Sequence, residues 1–239
     1  MSNEPKVWIS ILDYEHVNIY SIGMNIPNVY DYPAYQASNL EYFANQKDKD
    51  VIAKNKELGS YGANIERLVQ AFKKFPTSPD SLWLENDREE LPKKSDYIFR
   101  VKGGGLVLNE ACANVFKQFN LGESTLTPLK IHKLFTDELW LDDTFYFLNL
   151  CERKEYLINP QLDERLEYHY KNYPTPFYNT FHDIEDNMLA VSQSVTECDV
   201  DIWHDPLFQS SYFMSDRLYQ ALVQADIHEQ WNAHFCHLV

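Results

Sequence analysis

The spacing of apolar and polar positions changes several times along the chain, and each change marks an element. Val7–Tyr14 (VWISILDY) is rich in β-branched and aromatic residues and predicts a strand. Residues 23–60 carry Pro27, Pro33 and many Asn, Tyr and Asp, which predicts irregular chain. A mixed-charge run around Gln46–Glu57 within it reads as solvated helix or loop. In Asn64–Lys74, Ile65, Leu68, Val69 and Phe72 recur at helical spacing with lysines late, which predicts an amphipathic helix stopped by Pro76–Pro79. Tyr97–Val101 (YIFRV) predicts a further strand. Lys102-Gly103-Gly104-Gly105 then reads as a tight turn or a hinge, because a phosphate loop needs GxxxxGK[ST] opening a helix.

Beyond the glycines the pattern repeats at an offset of 106 residues. Leu106–Glu110 aligns with Tyr212–Asp216, an apolar run leading to a helix-capping candidate, Asn109 or Ser215, with an acid directly after it. The apolar positions then coincide, Cys112 with Leu218, Val115 with Ala221 and Phe116 with Leu222, and each helix exits into an extended segment, Thr127–Ile131 or Ala233–Leu238. Two amphipathic helices can match by chance, but the shared cap and exit favour a repeated strand–helix–strand unit.

Between the two copies, Thr144–Leu150 is a nearly continuous apolar run that predicts a buried strand. Val195–Ile202 alternates. Thr196, Cys198, Val200 and Ile202 form one face, and Glu197, Asp199 and Asp201 the other. This predicts a half-buried strand showing an acidic stripe, with carboxylates about 6–7 Å apart. Such a stripe is a solvated face, a surface for a partner, or a divalent-cation site through Asp199-Val200-Asp201. Ile202 and Phe208 stand where a calcium loop wants Gly and Glu.

Charge sharpens the picture. The chain has 36 acidic and 21 basic residues, a net charge of −15. After Lys171 only Arg217 is basic, against ten carboxylates, so −9 of the total falls in the last 68 residues. Such a field repels nucleic acid and anionic membrane and steers a basic partner inward. No stretch approaches the roughly 18 apolar residues of a membrane span, and MSNEPKVWIS lacks the apolar core of a signal peptide, so a cytoplasmic location is expected. Cys112, Cys151, Cys198 and Cys236 are widely spaced and predict reduced thiols.

Catalytic signatures are missing from the sequence: it holds no GxSxG, HExxH or dinucleotide fingerprint. In His182-Asp183 and His204-Asp205, neighbours on an extended chain point to opposite faces, so neither is a dyad. His234 and Cys236 share a strand face without a second ligand pair. No catalytic or metal-binding residue and no cofactor are therefore expected.

Three stretches carry a family likeness: LVLNEACANVFKQFNLGESTLTPLKI, TFYFLNLCERKEYLI and DPLFQSSYFMSDRLYQALVQADI. Over roughly residues 97–239 they resemble bacterial immunity proteins of polymorphic-toxin and contact-dependent antagonism systems. Members usually pass from the last helix into a Gly-containing turn, and His228–Trp231 stands there instead. The resemblance implies an α+β protein that binds and neutralises a cognate toxin in the producer's cytoplasm without catalysis.

The expected architecture is α+β, with mixed or antiparallel sheets and packed helices. It comprises an N-terminal region, residues 1–96, and a C-terminal immunity-like domain, residues 97–239. The expected partner is a toxin domain, basic if it is a nuclease, with no nucleic acid or membrane. Its expected contact surface is Asp183, Glu185, Asp186, Glu197, Asp199, Asp201 and Asp205, with Trp203 as either an anchor or a core residue. The rival readings are a metal-dependent transferase using Asp199 and Asp201, and a non-catalytic scaffold.

Overall fold

The computed structural model describes residues 6–12, 17–85, 92, 95–158, 166–169, 177–180, 184–208 and 211–239. In chain order the elements are β1 (Val7–Ile11), β2 (Ile22–Asn25), α1 (Tyr32–Ala44), α2 (Lys49–Gln70), β3 (Ser81–Leu84), β4 (Ile98–Arg100), β5 (Leu106–Leu108), α3 (Glu110–Phe116), β6 (Thr125–Lys133) and β7 (Leu139–Asn149). They continue with β8 (Leu157–Ile158), β9 (Leu166–His169), β10 (Phe177–Thr180), β11 (Ala190–Val191), β12 (Ile202–Trp203), β13 (Ser211–Ser215), α4 (Asp216–Gln224), β14 (Ala233–Phe235) and β15 (His237–Leu238). The fold is α+β, with mixed and antiparallel sheets.

Two compact units alternate along the chain. The first comprises Met1–Val17, Asn114–Ser124 and Leu150–Val239, and the second Asn18–Ala113 and Thr125–Asn149. A boundary at 96/97 would cut both. In the second unit β3 runs parallel to β6, and in the first β1 pairs with β13 and β14. Strand pairing between segments distant in sequence therefore overrides the contiguous division.

The first unit holds a four-stranded sheet, β12-β13-β1-β14, and a three-stranded sheet, β15-β11-β8. Ile9, Val191, Trp203, Phe208 and Phe213 lie at the centre of its core. Helix α4 lies against β1, where Tyr219 stacks on Trp8 at 3.6 Å and the Trp8 indole donates to Asp216 at 2.9 Å.

The second unit is built on a six-stranded sheet, β2-β3-β6-β7-β5-β4, with Ile22, Leu82, Phe99, Val107 and Ile131 fully buried. Helices α1 and α2 form a hairpin; α1 lies in chain the sequence predicts to be irregular, and the end of α2 lies in the predicted Asn64–Lys74 helix, which stops at Gln70. Asp31 caps α1 by accepting from the Ala34 N–H, and Pro33 sits in the first turn, where its missing N–H costs nothing. Asp48 caps α2, which runs from Lys49 to Gln70, so the charged run is solvated helix. The glycine run is the β4–β5 hairpin turn, closed by the Gly104 N–H to the Val101 carbonyl, with Gly103 at φ +84°. It is a tight turn within one sheet and not a hinge between domains.

The 106-residue offset is reproduced. Asn109 accepts from the Cys112 N–H at 2.9 Å and Ser215 from the Leu218 N–H at 3.2 Å. Cys112 and Phe116 of α3, like Leu218 and Leu222 of α4, have no exposed surface. The exits follow the same order, since α3 leads to β6 and α4 to β14.

Candidate functional site

Val195–Ile202 does not form the expected strand. Ser192 caps a short 3-10 helix, Gln193–Glu197, by accepting from the Ser194 N–H, and the chain is regular again only at β12. Alternation is therefore lost, and the three carboxylates do not form one outward row. Glu197 and Asp199 are exposed, but Asp201 is buried at 1% exposure.

Asp201 is held from all sides. Its Oδ1 accepts from the Ser215 hydroxyl at 2.5 Å and from Arg217 Nε, and its Oδ2 accepts from the Asn120 N–H at 2.9 Å. Its own N–H donates to the Asn120 carbonyl at 2.7 Å. Arg217 and the Asn120 amide also converge on the Asp199 carbonyl, at 2.8 and 3.0 Å. A buried charge without a partner is costly, and here the guanidinium, hydroxyl and N–H together satisfy it. The carboxylate is thereby committed to structure, and a guanidinium on it repels a divalent cation. Among the described residues no three His, Cys, Asp or Glu side chains are placed to hold a metal.

Asp205 is also interior. It accepts the Tyr156 and Leu157 N–H groups at 2.8 Å each and the Leu207 N–H at 3.0 Å, tying the chain before β8 to the turn after β12. Burial pushes its carboxyl above the usual carboxylate range, against the pull of these N–H donors. Trp203 is a core residue at 1% exposure, stacked on Phe213 and edge-on to Tyr156, so it is no surface anchor. It lines a cavity of about 320 Å³ with Cys198, Thr196 and Val200.

Of the acidic residues expected to face a partner, the surface keeps Glu185, Asp186, Glu197 and Asp199, and Asp183 lies outside the described residues. Asp186 accepts from the Phe235 N–H at 3.1 Å and lies 3.5 Å from His234 Nδ1. Near Asp199, Glu152 accepts from the Glu123 N–H at 2.7 Å and pairs with Lys154 at 3.0 Å. Burial raises the Glu152 carboxyl, but that N–H and Lys154 outweigh it and hold the group below its ordinary range. The charge is uneven between the units. The first has 19 acidic and 7 basic residues, a net of −12, and the second 17 and 14, a net of −3.

A second feature lies in the second unit, where α1, α2, β2 and the glycine turn enclose a cavity of about 400 Å³. Tyr30, Tyr32 and Tyr35 wall it, with ring centroids 6.0 Å apart between Tyr30 and each of the others. Beside it Glu85 accepts from the Tyr32 hydroxyl, from Gln36 Nε2 at 2.7 Å and from Lys102 Nζ. Gly62, inside α2, lets Tyr30 come close, since a Cβ there would stand 2.9 Å from the Tyr30 hydroxyl. Sequence reading passes over this cavity. Its signal was present in three tyrosines within six residues and two glycines, Gly59 and Gly62, in the interior of a helix.

No protein-family model and no curated protein matches the chain. Among the described residues, no helix is long and apolar enough to cross a membrane.

Proposed function

We propose that this protein is an immunity protein, which binds a cognate antibacterial toxin domain in the cytoplasm and neutralises it by direct, non-catalytic contact. The observation that carries the reading is the concentration of acidity in one unit, 19 acidic against 7 basic residues, with Glu197 and Asp199 held outward at the end and exit of a capped turn. A basic toxin is drawn to such a surface and relieves its self-repulsion, and a nuclease toxin is basic because it binds phosphate. The resemblance of residues 97–239 to immunity proteins supports the same reading.

The test is co-purification of the full chain with the C-terminal domain encoded by the gene immediately upstream. A one-to-one complex on gel filtration, together with rescue of cells expressing that domain, is expected. Rescue without a stable complex, or no rescue, would overturn the proposal.

A further inference from the structure

We propose that the tyrosine-walled cavity of the second unit is a binding site for a single cationic group, a guanidinium or a primary ammonium. Its size, about 400 Å³, lies in the range of small-ligand sites. Tyr30 meets Tyr32 at 78° and Tyr35 at 47°, so the walls are aromatic surfaces set at angles to one another, an arrangement that attracts cations.

Counting donors decides the sign of the ligand. Tyr32, Gln36 and Lys102, the donors that would hold an anion, already converge on Glu85. The hydroxyls of Tyr30 and Tyr35 make no hydrogen bond among the described residues, although Tyr30 is only 7% exposed. Burial, then the neighbouring Tyr35 and Glu85, push the Tyr30 hydroxyl well above its ordinary ionisation range, so it stays neutral and able to accept. Among the described residues Glu66, on α2 at the cavity wall, accepts only from Gln70, at 3.1 Å. An anion here would face Glu66, and among the described residues the one cation on the wall, Lys102, is already paired with Glu85 beside it. An apolar ligand would leave those hydroxyls unpaired, which is unfavourable. A cation finds ring surfaces, two acceptor oxygens and a carboxylate.

The same cation can arrive free or as the side chain of a basic protein, and the inference stands apart from the toxin reading. The experiment is isothermal titration calorimetry of the full chain with agmatine, with the blocked tripeptide Gly-Arg-Gly, and with succinate as the anionic control. Saturable one-site binding of at least one cation is expected, weakened about tenfold by Glu66→Gln and several-fold by Tyr30→Phe, with none for succinate. Agmatine binding alone assigns the site to a free ligand, and tripeptide binding as tight or tighter assigns it to a partner's side chain. No saturable binding of either cation up to about 10 mM overturns the proposal. So does cation binding that Glu66→Gln leaves unchanged, or binding of succinate in their place. Glu66 is exposed, so Glu66→Gln carries the test even where Tyr30→Phe disturbs folding.

Discussion

The Ser215 hydroxyl lies 2.5 Å from the buried Asp201 carboxylate while it accepts the Leu218 N–H at 3.2 Å. One oxygen therefore starts helix α4 and satisfies a charge in the interior, whereas Asn109, at the equivalent place before α3, caps its helix through the Cys112 N–H. Replacing a cap by Ala costs about 0.5–2 kcal/mol. Asn109→Ala is expected inside that range. Ser215→Ala should exceed it by about 1 kcal/mol or more, since it also removes a hydrogen bond to a charged group. Equilibrium denaturant unfolding of the two variants checks the order, and equal losses would refute it.

Among the described residues, Arg217→Met leaves buried Asp201 only the Ser215 hydroxyl and the Asn120 N–H as donors to its side chain. Removing one partner of a buried pair costs about 3–5 kcal/mol. The Asp201 side chain is 2% exposed but that of Arg217 is 59%, so the loss should fall at or below the low end as water replaces the guanidinium. In an Asp201→Asn background the same Arg217→Met change should cost far less, and a double-mutant cycle by urea unfolding measures the difference.

Gly62→Ala reverses the usual rule. In a helix interior the change stabilises by about 0.5–1 kcal/mol, but here the new Cβ falls 2.9 Å from the Tyr30 hydroxyl and 3.1 Å from its ring carbon. A net loss of about 1–3 kcal/mol from overpacking is expected, and Tyr30→Phe should recover part of it. Gly59→Ala meets only the edge of Tyr35 at 3.3 Å and should be milder. Thermal melts of the three variants and of Gly62→Ala/Tyr30→Phe check the pattern.

Glu152 has its pKa lowered in the folded state by the Glu123 N–H and Lys154. Its contribution is thus present above the ordinary carboxylate pKa and lost as pH falls through the lowered value. Glu152→Gln is expected to destabilise by under about 1 kcal/mol near neutral pH and to match the unsubstituted protein in acid, below both values. Urea midpoints measured against pH read the convergence, and a gap that widens toward acid would contradict it.

On the proposed immunity function, the exposed acids steer a basic partner domain inward. Glu197→Gln with Asp199→Asn is expected to leave folding intact, slow association several-fold and flatten its salt dependence. Stopped-flow association with the partner domain across ionic strength is the measurement, and unchanged kinetics would remove these two residues from the interface.

The α+β class, the caps at Asn109 and Ser215 and the paired helices were legible in the sequence, because caps and helical spacing act over a few neighbouring residues. Helix α1 and the middle of α2 were hidden, whereas the start of α2 reads as solvated helix or loop and its end lies in the predicted Asn64–Lys74 helix. Pro33 reads as a breaker unless Asp31 is seen to place it in a first turn, and glycines at 59 and 62 weaken the helical signal for the sake of tyrosines about 30 residues away. The acidic alternation of Val195–Ile202 misled for a related reason. Period two predicts exposure only where a strand forms, and here Asp201 is drawn inside by Arg217 and Asn120, 16 residues after it and 81 before it. The tyrosine cavity needed three segments to meet, and no local pattern reports that.

Strand β1 sits between β13 and β14 in its sheet, so residues 7–11 pair with 211–215 on one side and residues 8–10 with 233–235 on the other. On the ribosome, at about 5–20 residues per second, these first apolar residues wait roughly 10–45 seconds for the strands that cover them. Until then Val7, Trp8 and Ile9 form an uncovered β-prone segment, open to chaperones and to pairing with other nascent chains. Late closure of this kind makes the order of synthesis a vulnerability. A chain cut short before residue 211 lacks both strands that flank β1 in the sheet.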